Sequence, residues 1–373
     1  MNAHLNLANL AEEIGPGFAE RSAELESADA FVFDNYEALR ERRVFSALVP
    51  KEFGGAEVSH REMAAFLRRL AHFCPSTALA LSMHQHLVAA ARKNHRDGKP
   101  GKALLEKVGA GELVLVSTGA NDWLESNGKA ERVEGGYRVS AVKPFASGSP
   151  RGDIAVTSCA YDCPEDGPSV IHFPLPLKSE GVTLMDDWRT LGMRATGSQT
   201  IKFDNVFVPE AAVALKRARG PFHGAFAVIV TVAMPLIMSV YTGVAEAAAA
   251  IARDKARERQ SDPVAPLLIG EMENLLTTAQ LAVESMVALC DDFAFTPSEA
   301  LASDVLVRKT ICARHVIAAA EKALEASGGT GFFRKQGLER LLRDAHACQF
   351  HPLPEKRQQM FTGRLVMGLP PVA

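Results

Sequence analysis

The sequence predicts an α+β protein in which a small β domain separates two helical regions. Near both ends of the 373-residue chain, apolar residues recur at three- and four-residue intervals, which places them on one face of a helix. Between these regions, short β-branched segments are separated by Gly, Pro, Asp and Asn, as in a β-sandwich or barrel. The length favours two or three domains. We predict an N-terminal helical domain over 1–112, a middle β domain over 113–215 and a C-terminal four-helix bundle over 216–373.

The overall composition is that of an ordinary soluble protein and argues against several function classes. A net charge of −3 gives no electrostatic reason to propose nucleic acid or an anionic membrane as a partner. The six cysteines are scattered without the spacing of a zinc site, so we predict no metal and a reducing, cytoplasmic location. The N-terminus lacks the pattern of a signal peptide. The apolar run from Ala225 to Ala252 contains Pro235, and we interpret it as a buried helix.

Two histidines stand out in the N-terminal region, which is otherwise predicted to consist of helices joined by a turn at LVPKEFGG, residues 48–55. His84 and His86 lie in the predicted helix that contains CPSTALALSMHQH. Because residues two apart on a helix point in different directions, only one of the two imidazoles can face a pocket. The alternative for each is a capped or surface histidine.

Loops with hydroxyl and aromatic side chains follow two of the predicted strands in the middle region. Ser117 and Thr118 come directly after the first strand, and Phe145 and Ser147 follow the second. Taken alone, a loop rich in Ser and Gly is more often a simple turn. The predicted strands include residues 114–116, 137–139, 154–157, 170–173 and 200–203.

The C-terminal region contains a glycine break and a histidine next to prolines. Gly328-Gly329 lets the backbone approach a bulky group or turn with positive φ. Pro352 biases His351 towards an extended conformation and interrupts helical hydrogen bonds, so this imidazole is well placed to face a pocket. The predicted helices are Ala225 to Ala256, Leu267 to Phe293, Ser298 to Ser327 and Gly337 to Cys348.

These motifs resemble the acyl-CoA dehydrogenase superfamily of flavoenzymes. The resemblance rests on KALEASGGTGFF at 322–333, ERLLRDA at 339–345, the turn at 48–55, and the run from Trp188 to Pro209. It extends over nearly the whole chain. It implies the family's fold, which joins a helical domain, a β domain and a four-helix bundle, and it implies a flavin cofactor and a mostly tetrameric assembly.

The resemblance further implies that the two middle-domain loops flank the flavin. An isoalloxazine ring needs an aromatic or apolar face to stack on and polar groups at its edge. Ser117, Thr118, Phe145 and Ser147 are the predicted cofactor contacts. Arg194 is the predicted contact for an anionic or polar substrate group, with a structural or surface salt bridge as the alternative.

The family's catalytic glutamate has no counterpart at either of its two expected positions. A thioester α-proton is weakly acidic until its carbonyl is polarised, so a carboxylate base must lie close to it. The matching residues are Pro352, counted from Arg343-Asp344, and Ala233 on the first helix of the bundle. The standard base is therefore predicted to be missing.

The neighbour of the vacant position, His351, is similar to a histidine of another branch of the superfamily. That branch contains two-component monooxygenases, which take reduced flavin from a separate reductase and hold a C4a-hydroperoxyflavin with a histidine and a middle-domain serine. The resemblance implies a catalytic set of His351, Ser147 and one of the two N-terminal histidines. We assign His84 to catalysis and His86 to substrate binding.

The predicted adenosine end of the cofactor site is atypical for the family. The arginines near Arg257 are not followed by the usual Phe-Gly, and Glu325 replaces a glutamine and would repel a phosphate. Gly328 and Gly329 remain, so these glycines and Arg257 are the predicted contacts. FAD is the expected cofactor, with FMN or reduced flavin supplied by a reductase as the alternative.

The predicted function is that of a flavin-dependent oxidoreductase that oxidises an acyl-CoA or similar small molecule. The first alternative is a reduced-flavin-dependent monooxygenase with a flavin reductase as partner. The second is a non-catalytic member of the fold. A homotetramer or homodimer is expected.

Overall fold

Helices at both ends of the chain enclose a central set of strands in the computed structural model, which describes residues 5–119, 122 and 124–372. The N-terminal helices are α1 Leu7–Ser27, α2 Phe33–Glu41, α3 His60–Leu70, α4 Pro75–Arg96 and α5 Lys102–Gly111. The strands are β1 Leu115–Ser117, β2 Lys129–Val133, β3 Gly136–Lys143, β4 Ile154–Cys163, β5 Gly167–Pro176, β6 Val182–Leu184, β7 Ile201–Pro209 and β8 Leu215–Ala218. The C-terminal helices are α6 Gly224–Arg257, α7 Ala265–Cys290, α8 Glu299–Ser327, α9 Leu338–Ala345 and α10 Glu355–Val366.

Local sequence signals account for where the N-terminal helices begin. The Ser59 hydroxyl accepts a hydrogen bond from the Glu62 N–H, and the Glu62 carboxylate accepts one from the Ser59 N–H, which is a capping box at the start of α3. Pro75 stands in the first turn of α4, where its missing N–H costs nothing. Helix α4 is buried along most of its length, because many of its residues are apolar or small and because the buried His84 and Gln85 bond to backbone carbonyls.

The strands form one hydrogen-bonded sheet in the order β6-β7-β3-β2-β4-β5-β8, with β1 beside β4. Strands β1 and β2 pair in parallel with β4, and the remaining neighbours are antiparallel. A single residue pair, Ala130 with Tyr161, joins the two halves of the sheet. Apolar side chains from both halves, including Val139, Phe173 and Phe203, form one buried cluster. The predicted central β region is therefore present, with its strands joined in one sheet.

Helix α6 is the centre of the bundle. It packs against α7 and α8 and also against α3 and α4 of the N-terminal region, so a single apolar core is shared by the two helical regions. Its length and composition would suffice to cross a membrane, but most of its apolar stretch is buried inside the protein. A buried core helix passes the same test, and the interpretation of this run as a buried helix is confirmed.

Candidate active site

The loop after β3 presents an aromatic ring and a hydroxyl at the surface of the β domain. Phe145 has a left-handed backbone with φ +63° and leaves 52% of its surface exposed, with its ring centroid 6.0 Å from that of Trp188. An exposed aromatic residue held in a strained conformation is a suitable stacking face for a ligand. Lys143, just before it, is fully buried and paired with Asp122, which anchors the loop.

A chain of three hydroxyls leads inward from Ser147. Ser147 Oγ lies 2.7 Å from Ser198 Oγ, and Ser198 Oγ lies 2.7 Å from Thr196 Oγ1. The Thr196 hydroxyl donates to the carbonyl of Met193 over 2.9 Å, and a carbonyl can only accept. Ser198 therefore donates to Thr196, and Ser147 donates to Ser198. Ser147, 8% exposed, is left with only lone pairs for an outside partner.

The loop after β1 contributes less to this surface. The Thr118 hydroxyl is buried and donates to the Thr157 hydroxyl over 2.8 Å. Ser117 is partly exposed at the end of β1. The loop continues beyond Gly119 into residues 120 and 121, which lie outside the described part of the chain. Of the two predicted contacts, Ser117 is the more accessible.

His351 lies at the turn between α9 and α10 and is fixed by a tyrosine of α6. Its Nε2 is 2.7 Å from the hydroxyl of Tyr241, a fully buried residue. Burial lowers the pKa of His351 to about 3, and the positive charge of Lys309 contributes to this. The imidazole is therefore neutral at physiological pH. Burial also keeps the Tyr241 hydroxyl protonated, since it raises that pKa far above its ordinary value.

His86 faces the same region as His351 and is also neutral. Its Nδ1 lies 3.3 Å from the carbonyl of Ser82, one turn earlier in α4, and must donate to it. Burial lowers the pKa of His86 to about 4, and a charge on His86 would lower the pKa of His351. Because Nδ1 carries the proton of the neutral imidazole, Nε2 of His86 is an acceptor. The electrostatic effect of His86 on His351 shows that the structure brings these two predicted residues near each other.

The catalytic role predicted for His84 is corrected to a structural one. Its Nε2 is 2.8 Å from the carbonyl of Phe45 and its Nδ1 accepts from the N–H of Leu115 over 2.9 Å. Both ring nitrogens are thus occupied by backbone groups, and the side chain is completely buried. His84 ties α4 to the start of β1, and neither nitrogen is left for a substrate.

Arg194 is likewise engaged in the protein's own structure. Its Nε donates to the Asp29 carboxylate over 2.5 Å, and this hydrogen bond is the main cause of the raised pKa of the guanidinium. The Arg194 N–H donates to Glu26. The salt bridge that was the alternative interpretation is therefore the one observed, and it links the β domain to the turn after α1.

No carboxylate occupies the two positions of the family base, as the sequence predicts. Ala233 is buried inside α6, and Pro352 precedes α10. Among the described residues, neither His351 nor Tyr241 has a hydrogen bond to a carboxylate, and the fully buried Asp344 instead accepts from the Met193 N–H over 2.5 Å. The other buried carboxylates hold backbone or side-chain partners elsewhere: Glu26 with Ser76, Glu112 with Ser46, and Asp122 with Lys143.

The predicted adenosine end is open. Gly329 has free space around its Cα, and Gly328 has φ +63°. Arg257 lies at the surface, where it pairs with Asp254, whereas Arg259 lies beside Gly328 and donates to the carbonyl of Ala326. The structure shows no contact between Arg257 and Gly328 or Gly329 among the described residues, so the contact of Arg257 with the cofactor stays a prediction.

Several residues of the site carry no clear signal in the sequence. Tyr241 is one of many residues of an apolar run, and Ser198 and Thr196 are small side chains in a turn. The one sequence signal for Tyr241 is that it is a single phenol within a stretch rich in Ala and Val. Lys309 and Arg259, two further residues of the site, belong to no recognisable motif.

Several features of this structure suit a flavin: the order of helices, sheet and helices, the exposed Phe145, the hydroxyl chain of Ser147 and the open glycines. Together they define the class of flavin-dependent oxidoreductases. Residues 236–355 match the model "Acyl-CoA dehydrogenase, C-terminal domain", and residues 8–100 match "Acyl-CoA dehydrogenase, N-terminal domain". The two matches together span over half of the chain. The protein belongs to the acyl-CoA dehydrogenase superfamily.

Its relatives include flavin enzymes of the oxygenase type. The chain is 27% identical to the amino sugar nitrososynthase DnmZ of Streptomyces peucetius, covering 93% of this chain and 89% of the relative. It is 26% identical to HsaA, the oxygenase subunit of a flavin-dependent monooxygenase of Rhodococcus jostii, covering 95% and 96%. The solved structure of KijD3 with FMN and a dTDP-linked amino sugar superposes with a TM-score of 0.89 at 26% identity, covering 99% and 95%.

Proposed function

We propose that this protein is a reduced-flavin-dependent monooxygenase that receives its flavin from a separate reductase. The observation that carries the proposal is the replacement of the family base. Ala233 and Pro352 occupy the two positions of the carboxylate, and the neutral imidazole of His351, the residue before Pro352, is bonded to Tyr241. A neutral imidazole is a hydrogen-bond partner and a weak base, which suits oxygen chemistry better than abstraction of a thioester α-proton.

The hydroxyl chain supports binding of the reduced cofactor. Because Ser147 gives its proton to Ser198, its oxygen can only accept from an outside group. This acceptor matches the N5 proton that reduced flavin carries and oxidised flavin lacks. Ser147 would then hold N5, and Phe145 would support one face of the ring. Reduced flavin, when bound, supplies the electrons with which molecular oxygen is activated.

The two neutral histidines suggest the class of substrate. His86 donates Nδ1–H to Ser82 and therefore offers Nε2 as an acceptor. A buried acceptor favours a substrate with an N–H or O–H group. Such a donor loses its hydrogen bonds to water when it enters the site, and Nε2 of His86 would replace them. One relative is named an amino sugar nitrososynthase, and KijD3 has been solved with a dTDP-linked amino sugar. We propose an amine or a hydroxylated ring, oxygenated at or beside that group.

The cofactor would be FMN or loosely held FAD. Glu325 is exposed and paired with Lys322, Arg257 is paired with Asp254, and Arg259, which lies beside Gly328, already donates to the carbonyl of Ala326. FMN, which lacks the adenosine half, requires no cation at this end of the site. The KijD3 complex with FMN supports the same choice.

An assembly of several copies is part of the proposal. Large apolar side chains are exposed along the C-terminal segment, where the largest exposed fractions are those of Phe332, Phe350, Val366 and Met367. Several large exposed apolar side chains in one region of the chain are typical of an interface. A homodimer or homotetramer would bury it.

The test is incorporation of oxygen from ¹⁸O₂. The purified protein would be supplied with FMN, NADH and a flavin reductase, and offered nucleotide-linked amino sugars and simple phenols. A product that contains one or more ¹⁸O atoms, formed only when the protein is present, is the expected result. Bleaching of a tightly bound oxidised flavin by an acyl-CoA without oxygen would instead identify a dehydrogenase and overturn the proposal.

A further inference from the structure

A buried lysine of α8 contacts the segment that carries His351. Lys309 is 1% exposed, and its Nζ donates to the carbonyl of Leu353 over 3.1 Å and to the carbonyl of Gln349 over 3.5 Å. These two carbonyls lie two residues after and two residues before His351. One side chain therefore holds both ends of the five-residue segment 349–353.

The surroundings of Lys309 make this contact unusual. Within the described residues no carboxylate lies at ion-pair distance, and the nearby groups that act on its charge are the thiols of Cys312 and Cys348 and the more distant Glu355. Burial lowers the pKa of Lys309 to about 8. A buried ammonium is costly unless it has strong partners. Its position is thus explained by the two carbonyls that it binds.

We propose that Lys309 is a positioning residue, whose ammonium group fixes segment 349–353 and thereby holds the His351 imidazole against the Tyr241 hydroxyl. The proposal rests on the proposed function for its consequence in catalysis, but its structural part does not depend on a flavin. The carbonyl of Leu353 is buried and has no other hydrogen-bond partner among the described residues. Removal of Lys309 would leave it unpaired.

A second consequence concerns the proton of His351. After burial, which is the main cause, the positive charge of Lys309 contributes to the low pKa of His351. Lys309 therefore acts on His351 in two ways, through the backbone on both sides and through its charge. Both act to keep a neutral imidazole in one orientation.

The first test measures amide hydrogen exchange in the flavin-free protein. Lys309→Met, which keeps the length of the side chain and removes its donors, is expected to speed exchange in a peptide covering 347–353 by about tenfold. Lys322→Met is the matched control, because Lys322 lies on the same helix but pairs with the side chains of Glu271 and Glu325 instead of with carbonyls of segment 349–353. Unchanged exchange in Lys309→Met would overturn the proposal, whatever the enzyme's activity.

The second test uses the coupling of oxygen consumption to product. Lys309→Met is expected to release a larger share of the consumed oxygen as hydrogen peroxide, to the level of His351→Ala, and to add nothing further in the double variant. Lys309→Arg, which retains charge and donors, is expected to restore at least half of the coupling. Equal flavin affinity and melting temperature of the variants would separate this effect from misfolding.

The outcomes distinguish the two ideas. If Lys309→Met loosens the segment but His351→Ala does not alter coupling, the proposed function fails and the positioning role of Lys309 stands. An additional loss of coupling in the double variant, beyond that of His351→Ala, would mean that Lys309 does not act through His351 and would overturn the proposal.

Discussion

The two ends of the proposed flavin site differ in how much of them this chain builds. At the isoalloxazine end, Ser147 is held by two further buried hydroxyls, and His351 is held by Tyr241 and Lys309. At the adenosine end, Gly329 is open and Arg257 lies at the surface. The first end is organised by side chains that keep hydrogen-bonding capacity for a ligand, whereas at the second end Arg259, which lies beside Gly328, is already bonded to the carbonyl of Ala326.

This difference indicates which part of the cofactor the site recognises. Side chains that are already oriented lose little entropy when a ligand binds, so affinity and specificity concentrate where the hydrogen bonds are fixed in advance. We expect the enzyme to distinguish the redox states of the isoalloxazine ring and to tolerate either the presence or the absence of the adenosine half. Substitutions at the isoalloxazine end should therefore have larger effects than substitutions at the adenosine end.

Truncation at the organised end is expected to have the largest effect. His351→Ala and Ser147→Ala should each lower product formation about 100-fold, because each removes a preorganised hydrogen-bond partner from the reacting region. Reductase-coupled product yield is the measurement. His315→Ala, on the outer part of α8 with its Nδ1 bonded to the carbonyl of Ile311, is the control and should retain activity. Full activity of both truncations would refute the assignment.

Interruption of the hydroxyl chain is expected to have an intermediate effect. Thr196→Val removes the group that fixes the direction of the Ser198 and Ser147 protons, so Ser147 could donate as well as accept. The preference for reduced over oxidised flavin should fall about tenfold, the equivalent of one hydrogen bond. Equilibrium titration of both redox states measures it. Thr190→Val, whose hydroxyl is bonded to Gly192 in the same loop, should leave the preference intact.

The pH dependence of stability should change least, and only in acid. The pKa of His351 is depressed to about 3 in the folded protein, so between pH 3 and 6.5 the unfolded state binds the extra proton and stability falls as pH falls. Above pH 6.5 the effect is absent. His351→Asn should therefore flatten the decline in unfolding free energy below pH 6 by about 1.4 kcal/mol per pH unit. Denaturant titrations at pH 4.5 to 7 measure the unfolding free energy. The same slope of this free energy against pH in the wild type and in His351→Asn would contradict the prediction.

Much of the fold can be predicted from sequence patterns. Periodicity places α6 and α8 to within a residue or two, because α6 is long and strongly apolar and α8 repeats apolar residues at helical spacing over 29 residues. It does not reveal strands β2 and β6, since they are largely exposed and lack a clear alternation of apolar and polar residues. Helix α10 also escapes prediction, because it comes after two prolines and has a polar sequence.

The site is less predictable than the fold. Position next to a proline draws attention to His351, but the pattern does not reveal the partner, because Tyr241 is 110 residues away in sequence. Spacing on a helix limits His84 and His86 to different directions, yet it does not tell which of them meets backbone carbonyls and N–H groups. Long-range contacts decide such assignments, and only the folded chain supplies them.

The most direct test of the central claim is an anaerobic titration of the purified protein with FMN and FAD, each in oxidised and reduced form. We predict that reduced flavin binds at least about tenfold more tightly than oxidised flavin, as expected for one matched hydrogen bond, with FMN and FAD within about threefold of each other. Arg257→Ala should not alter the FMN to FAD ratio. Tight binding of oxidised FAD, retained through purification, would contradict the account.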